Sequence, residues 1–553
     1  MPTARAISTA VLLSTATLLA SSLTACAPTD RDGDRQGDTG GTTTDAQALN
    51  DLRAQTPHWR DCPAPAPIQG GGEAPGALPD GTPWQCATLR TPLDWKNPSG
   101  KTMDLALVRA RTSGTPDDRI GSLLFNFGGP GGSGVATLPG LAADYEKLRT
   151  RYDLVSFDPR GVGNSGGVRC PDAGLPDEDE IDNIPDDGGD ETNALVRFNR
   201  ETAAACEKHS GDVLPYVGTT QAARDMDLVR QVLGDEKLHY LGISYGTELG
   251  GVYAHLFPER VGRAVLDGVV DPTHDMMEEA LAQAGGFQLA FEHFAAWCAR
   301  QGCTLGEDAE DIVDLVVGLE AALDDTPLPT PDDGELDGDA LVAAVTGALY
   351  RQDYWPALRV GLEAAADDDG DVLHDLAEAL GQHGTGGDKD DGTGDGTADG
   401  TTDEESNEDD AFRAITCDDS SSRYTVADVL SRLPDFLEAS PLFGPGLAWG
   451  TLSCDGWPVP GAARHPEVGA PGAPPVLLVG NTGDPATPYE GAARMARRLG
   501  EKVGIELTYR GEGHGAYDSG NTCVRNAVDA YLLNGTLPKP GTVCEAEPLP
   551  EGK

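Results

Sequence analysis

The chain is poor in positive charge: 40 Lys and Arg stand against 91 Asp and Glu in 553 residues, a formal net charge of −51. That balance excludes a nucleic-acid partner held through its phosphates, which needs a basic surface to displace counterions. Beyond solubility it carries little information about substrate. No C-x-x-C pair occurs among the 11 cysteines and no cluster among the 10 histidines, which argues against a zinc site. No run of 18 apolar residues follows the first 26, so no later segment is expected to span a membrane. The richest glycine run lacks the Gly-Lys-Ser/Thr ending of a phosphate loop, and no complete calcium loop can be found.

What the chain does have begins with an export signal. Arg5 precedes an apolar run from Ala10 to Leu19, and Leu23-Thr24-Ala25-Cys26 resembles a bacterial lipobox whose cysteine is lipidated and becomes the mature N-terminus. Ordinary signal cleavage nearby is the alternative. Residues 1–26 are thus read as a signal peptide with lipobox, and 27–48, polar and rich in Gly, Thr and Asp, as a flexible tether. Setting Cys26 aside leaves ten cysteines, an even number in an exported chain, which predicts structural disulfides. Near neighbours, Cys298 with Cys303 and Cys523 with Cys544, are the first expected pairs.

The folded part is organised around Gly242-Ile-Ser244-Tyr-Gly246, a G-x-S-x-G elbow between an apolar strand and a helix. Such a turn exposes a serine hydroxyl above the sheet and aims the positive end of a helix at it. The Tyr245 N–H is then one half of an oxyanion hole. Upstream, Gly121 to Phe127 reads as a buried strand ending in Gly128-Gly-Pro-Gly-Gly-Ser-Gly134, where Gly128 or Gly129 can supply the other half. A flexible turn or phosphate cradle is the alternative. Asp158 and Arg160, in the next strand-end loop, are read as a structural pair. From Trp84 to Arg111 the period-two patterning suggests the leading antiparallel strands of a mixed sheet, and from Gly121 to Asp271 strands and helices alternate, the mark of a largely parallel sheet wrapped by helices.

A serine on an elbow needs a histidine base and a carboxylate to orient it, and here both must follow the serine. Only two histidines lie beyond residue 400. His465 sits in a Pro/Gly-rich loop, whereas His514 follows a strand and is flanked by glycines. Asp484 ends the preceding apolar strand, ahead of Asp455 and Asp518 as alternatives. From Thr273 to about Thr451 the alternation stops. Met276 to Trp297 and Leu341 to Ala365 have helical spacing, and the aromatic stripe of the first is read as the core of an insertion. Thr385 to Asp410 carries eleven acidic residues against one Lys and is expected to be disordered. The resulting layout is a core in two parts, 49–272 and 452–553, around a helical insertion at 273–451 with the 385–410 acidic segment inside it.

The motifs Phe127-Gly-Gly-Pro-Gly-Gly-Ser-Gly, Asp158-Pro-Arg-Gly-Val-Gly, Gly-Ile-Ser-Tyr-Gly-Thr, Leu266-Asp-Gly-Val-Val-Asp-Pro and Gly480-Asn-Thr-Gly-Asp-Pro-Ala-Thr-Pro together resemble the secreted tripeptidyl aminopeptidase branch of the prolyl-aminopeptidase-like serine hydrolases. The resemblance runs from about Pro92 to Cys544. It implies an α/β-hydrolase fold with a helical cap, a Ser244, Asp484 and His514 triad, and removal of short peptides or residues from a free peptide amino end, with no metal or organic cofactor. One departure is Glu248, where such sequences often carry an uncharged residue. A pocket that selects a free N-terminus must meet its ammonium with a carboxylate, and Glu278 or Glu279, nearest the sheet in sequence, are the candidates. The expected partners are therefore peptides, with membrane contact only through a lipid anchor. An esterase or lipase would use the same triad, and a non-catalytic lipoprotein using the fold for binding is the third reading.

Overall fold

A computed structural model of the protein describes residues 44–171, 188–330, 334–381 and 406–547. Its strands are β1 (Arg60–Asp61), β2 (Gln85–Pro92), β3 (Thr102–Ala110), β4 (Gly121–Asn126), β5 (Tyr152–Phe157), β6 (Leu238–Ile243), β7 (Val261–Asp267), β8 (Leu328–Pro329), β9 (Glu335–Leu336), β10 (Val476–Gly483), β11 (Gly504–Glu512) and β12 (Val543–Glu545). Ten form one sheet in the order β1-β2-β3-β5-β4-β6-β7-β10-β11-β12, while β8 and β9 make a separate small hairpin. The first three strands and the β3–β5 edge pair antiparallel, and everything from β5 to β12 is parallel.

The parallel strands are apolar on both faces because helices cover both. Leu124, Tyr240 and Leu478 pack into the cluster on one side, and Phe125, Leu241 and Leu477 into the cluster on the other. Each of these fully buried side chains contributes about 1.5–3 kcal/mol relative to exposure. Consecutive residues of each strand thus point to opposite faces, and the loops carrying Ser244, Asp484 and His514 emerge at the strands' C-terminal ends, where an open α/β sheet places its ligand crevice.

Between β7 and β10 the chain leaves the sheet. Helix Met276–Arg300 opens this insertion, and its Phe291 and Phe294 are fully buried with Leu341 and Trp355 in a cluster of their own. The aromatic stripe is therefore cap core, as expected. Helix Glu408–Asp419 instead packs Ala411, Ala414 and Ile415 into the sheet-side core. Three expectations need correction. Helix Asp45–Arg53 begins inside the expected tether, and Glu408–Asp410 are the first turn of a helix rather than disordered, their acidic side chains suiting its positive end. The single helix expected over Leu341–Ala365 is two, Gly338–Leu349 and Trp355–Ala365, parted by a turn before Pro356, which cannot continue a preceding helix. Residues 27–43, 385–405 and most of the acidic stretch from Pro171 to Asp190 lie outside the described residues.

Five disulfides join Cys62–Cys86, Cys170–Cys206, Cys298–Cys303, Cys417–Cys454 and Cys523–Cys544, including both expected pairs. Among the described residues no helix is long and apolar enough to cross a membrane.

Candidate active site

Ser244 stands between β6 and helix Tyr245–Leu256 with φ 58° and ψ −127°. Among described non-glycine residues only it and Asp368 have positive φ, a strain of about 1–3 kcal/mol that a fold retains where geometry demands it. The flanking glycines show why they are needed. A Cβ on Gly242 would lie 2.3 Å from the Gly246 oxygen, and one on Gly246 would lie 2.6 Å from the Asn126 oxygen. The strained turn is locked from outside: Ser244 N–H donates to the Asp267 carbonyl at 3.0 Å, and Thr247 Oγ1 donates to the Ser244 carbonyl at 2.7 Å.

The glycine loop lies directly against the serine. A Cβ on Gly128 would fall 2.8 Å from Ser244 Cβ and 3.3 Å from its Oγ. The Gly128 N–H is already held by Asn126 Oδ1 at 3.2 Å. Of the two glycines expected to complete an oxyanion hole, Gly129 is therefore the one whose N–H has no acceptor among the described residues, alongside that of Tyr245 at the helix start. The loop is anchored by Asp158, fully buried, which accepts from Ser133 Oγ at 2.7 Å, Val135 N at 3.1 Å, Gln69 Nε2 at 2.7 Å and Asn164 N at 3.2 Å. Asp158 and Arg160 are not a pair, which corrects the expectation. Arg160 makes a fully buried two-pronged ion pair with Asp225, at 2.7 and 2.8 Å, because helix Thr219–Val232 brings that carboxylate beneath its loop.

Asp484 follows β10 and His514 follows β11, so the two side chains meet across adjacent parallel strands. His514 Nδ1 lies 2.8 Å from Asp484 Oδ1. Asp484 also accepts Ala486 N and Thr487 N on Oδ1 and Gly515 N on Oδ2, at 3.1, 2.9 and 3.1 Å. Burial alone would push the imidazole down, but the Asp484 carboxylate and then Asp267 outweigh it and hold His514 above its ordinary value. Ser244 Oγ makes no hydrogen bond to His514 among the described residues, yet Gly268 brings the two together. The residue before it holds Ser244 N–H, and its own Cβ position lies 3.2 Å from His514 Cε1. Serine-to-base contacts of this kind tighten when substrate arrives.

Neither alternative carboxylate is in the site. Asp455 pairs with Arg200 and Asp518 holds the Tyr145 hydroxyl, while His465 bonds the His274 carbonyl. Sequence reasoning missed Asp267. It ends β7, burial pushes it up to about 6, and its carboxylate takes the Ala516 and Tyr517 N–H groups, fixing the loop behind His514. Its place at a strand end before a glycine was the available signal.

The expected ammonium ligands fare unequally. Glu278 is exposed and closes its own helix start by accepting Asp275 N–H at 3.0 Å, and it lines a cleft with Tyr424, Arg432 and Arg464 that includes none of Ser244, Asp484 and His514. Glu279 is partly buried and bonded to His274 Nδ1 at 3.1 Å. Its charge reaches Glu248, one helical turn beyond Ser244 and on the same face. Glu248 faces Asp419, which accepts Thr219 Oγ1 at 2.6 Å and Thr219 N at 2.8 Å. Tyr245 OH closes onto the same threonine hydroxyl at 2.5 Å. Burial first, and then neighbouring carboxylate charge, raises both Glu248 and Asp419. Neither has a cationic partner among the described residues. The grouping of possible metal ligands found there, Cys170, Cys206 and Asp410, has its two sulfurs joined in a disulfide. Cys26 lies outside the described residues.

A family model described as "TAP-like protein" matches residues 440–544, the stretch that carries Asp484 and His514. The chain is 35% identical over 474 residues to "Serine protease Hip1" of Mycobacterium tuberculosis, covering 83% of this chain and 87% of that one. It is 32% identical over 514 residues to "Tripeptidyl aminopeptidase" of Streptomyces lividans, covering 89% and 87%. It is also 36% identical over 472 residues to "Carboxylesterase B" of Mycobacterium tuberculosis, covering 83% and 86%. With the sheet order, the elbow and the full-length relatives in agreement, the chain belongs to the TAP-like family of α/β-hydrolase serine hydrolases.

Proposed function

We propose that the protein is an exported serine aminopeptidase that releases short peptides or residues from a free peptide N-terminus through an acyl-enzyme. His514 Nε2 takes the Ser244 proton, the alkoxide attacks the scissile carbonyl, and the N–H groups of Tyr245 and Gly129 hold the developing oxyanion. Losing one such donor costs ~10²–10³ in rate. Asp484 stabilises the imidazolium, which then protonates the leaving amine, and water attacks the acyl-enzyme by the same base. Peptides as substrates are supported by the relatives' names, and the layout we adopt is a core of 45–272 and 452–553 with a 273–451 cap whose helix Glu408–Asp419 packs on the core.

The observation that carries the amino-end reading is the pair Glu248 and Asp419. Two partly buried carboxylates that have no cationic partner among the described residues, with Glu248 one helical turn from Ser244, suit an incoming ammonium, with Glu279 nearby. Losing the partner of a desolvated charge costs about 2–5 kcal/mol, so N-acetylating a tripeptide amide should slow its cleavage roughly 30-fold or more. Glu248→Gln should erase most of that preference and spare hydrolysis of a short-chain ester. Equal cleavage of free and acetylated peptide would remove the aminopeptidase reading. A carboxylesterase is the second reading, favoured by the name of one relative, and it requires the ester to be the better substrate.

Export rests on Arg5, the apolar run and Cys26. Cys26→Ser should move the protein from the membrane fraction to the soluble one with turnover unchanged. A wild-type protein already wholly soluble after export would leave ordinary signal cleavage in place of lipidation.

A further inference from the structure

The turn that parts the two cap helices touches the catalytic histidine. Tyr350 caps the C-terminus of helix Gly338–Leu349, where the last carbonyls have no partner within the helix. Its own carbonyl accepts the His514 main-chain N–H at 2.8 Å. Gly513 makes the approach possible, since a Cβ there would lie 2.6 Å from the Tyr350 oxygen. The Tyr350 ring stands edge to face with the imidazole, centroids 5.2 Å apart at 80°, and is backed by Phe287 at 6.1 Å. Tyr350 as a whole residue is 38% exposed, and its hydroxyl makes no hydrogen bond among the described residues.

The same cap grips the neighbouring loop. Gln283 Nε2 donates to the Ala486 carbonyl at 3.0 Å, a Cβ on Gly286 would lie 2.5 Å from the Pro485 oxygen, and His293 pairs with Glu512 at 3.0 Å. Both loops of the His514 and Asp484 couple are thus held from the cap side as well as from the sheet.

We propose that Tyr350 is a positioning residue for the catalytic base, the cap aligning the His514 imidazole through the Tyr350 ring and carbonyl. This rests on the reading of His514 as base. The ring blocks rotation of an imidazole that Asp484 holds at only one nitrogen, and the negative end of the Gly338–Leu349 helix favours the imidazolium formed during reaction. Cap and catalytic loops are then one unit, and the phenol hydroxyl is not needed.

The experiment is steady-state kinetics on the full chain with a tripeptide amide, comparing Tyr350→Phe, Tyr350→Leu and His514→Ala. Tyr350→Leu is expected to lower kcat roughly 10- to 100-fold with KM little changed, the size of effect that slight misplacement of a catalytic group produces. Tyr350→Phe, which keeps the ring, should restore wild-type kcat. Unchanged kcat in Tyr350→Leu overturns the proposal, and a change confined to KM overturns it too and makes Tyr350 a substrate contact instead. Loss of kcat in Tyr350→Phe equal to that in Tyr350→Leu also overturns it. Melting temperatures identify a variant that fails to fold, in which case Tyr350→Met replaces Tyr350→Leu with the same expectations. If His514→Ala keeps its activity, the base assignment itself has failed. If His514→Ala is inactive while Tyr350→Leu is normal, only the role of Tyr350 has.

Discussion

Ser244→Ala is expected to fold with an unchanged melting temperature and to hydrolyse peptide amides ~10⁴–10⁶-fold more slowly than wild type. Stability should be unaffected for two reasons. Alanine inherits the same φ of 58°, so the strain of the elbow neither grows nor relaxes, and the lost Oγ makes no hydrogen bond within the described protein. The rate should collapse because no other group can attack. The Tyr245 and Gly129 N–H groups would still polarise the substrate carbonyl, which sets the small residual activity. A serine-directed phosphonate or sulfonyl fluoride should label Ser244 alone and fail to label the variant. Modification at any other residue would refute the nucleophile, whatever the kinetics.

Asp484→Asn should be nearly as damaging, at about 10³–10⁴ in kcat, and it adds a second signature. The Asp484 carboxylate outweighs burial in holding His514 above its ordinary value. The free enzyme needs the neutral ring, so the acidic limb of kcat/KM should lie above the ordinary histidine value of about 6.5. Removing the negative charge leaves burial unopposed except by Asp267, and the limb should move to lower pH. The amide also has a geometric fault. If its oxygen keeps Ala486 N, Thr487 N and His514, its NH₂ must face the Gly515 N–H that Oδ2 now accepts. Two donors then oppose one another in the histidine loop. A limb that stays in place while kcat falls would assign Asp484 to loop geometry alone.

The set of Ser244, Asp484 and His514 was legible in the sequence because each member follows a strand and is marked by turn residues. Gly242 and Gly246 frame Ser244, Gly513 and Gly515 frame His514, and Asp484 precedes Pro485. Such signals are local, and the sheet merely brings them together. Glu279 and Glu278 illustrate what was not legible. They are adjacent in sequence, yet one faces inward while the other closes its helix start, and a helix turns by about 100° per residue. Glu248 stood out only as a departure from a pattern, and its meaning came from Asp419, delivered from 171 positions away by an unrelated helix. Tyr350 was hidden more deeply, inside what periodicity read as an uninterrupted helix. Arg160 was matched with the nearest carboxylate in the chain, whereas the fold supplied Asp225.

The five disulfides have a consequence for the birth of the molecule. Numbered along the chain, the ten described cysteines pair first with second, third with fourth, and so on, with no bridge enclosing or crossing another. Ten thiols can be joined in hundreds of ways, and only one of them is this consecutive set. A chain that reaches an oxidising compartment N-terminus first exposes each cysteine's proper mate as the very next thiol to arrive. If the protein is exported as proposed, closing bonds strictly in order of arrival reproduces the native set, and the timetable of export would by itself carry the information that a template or a proofreading catalyst would otherwise provide.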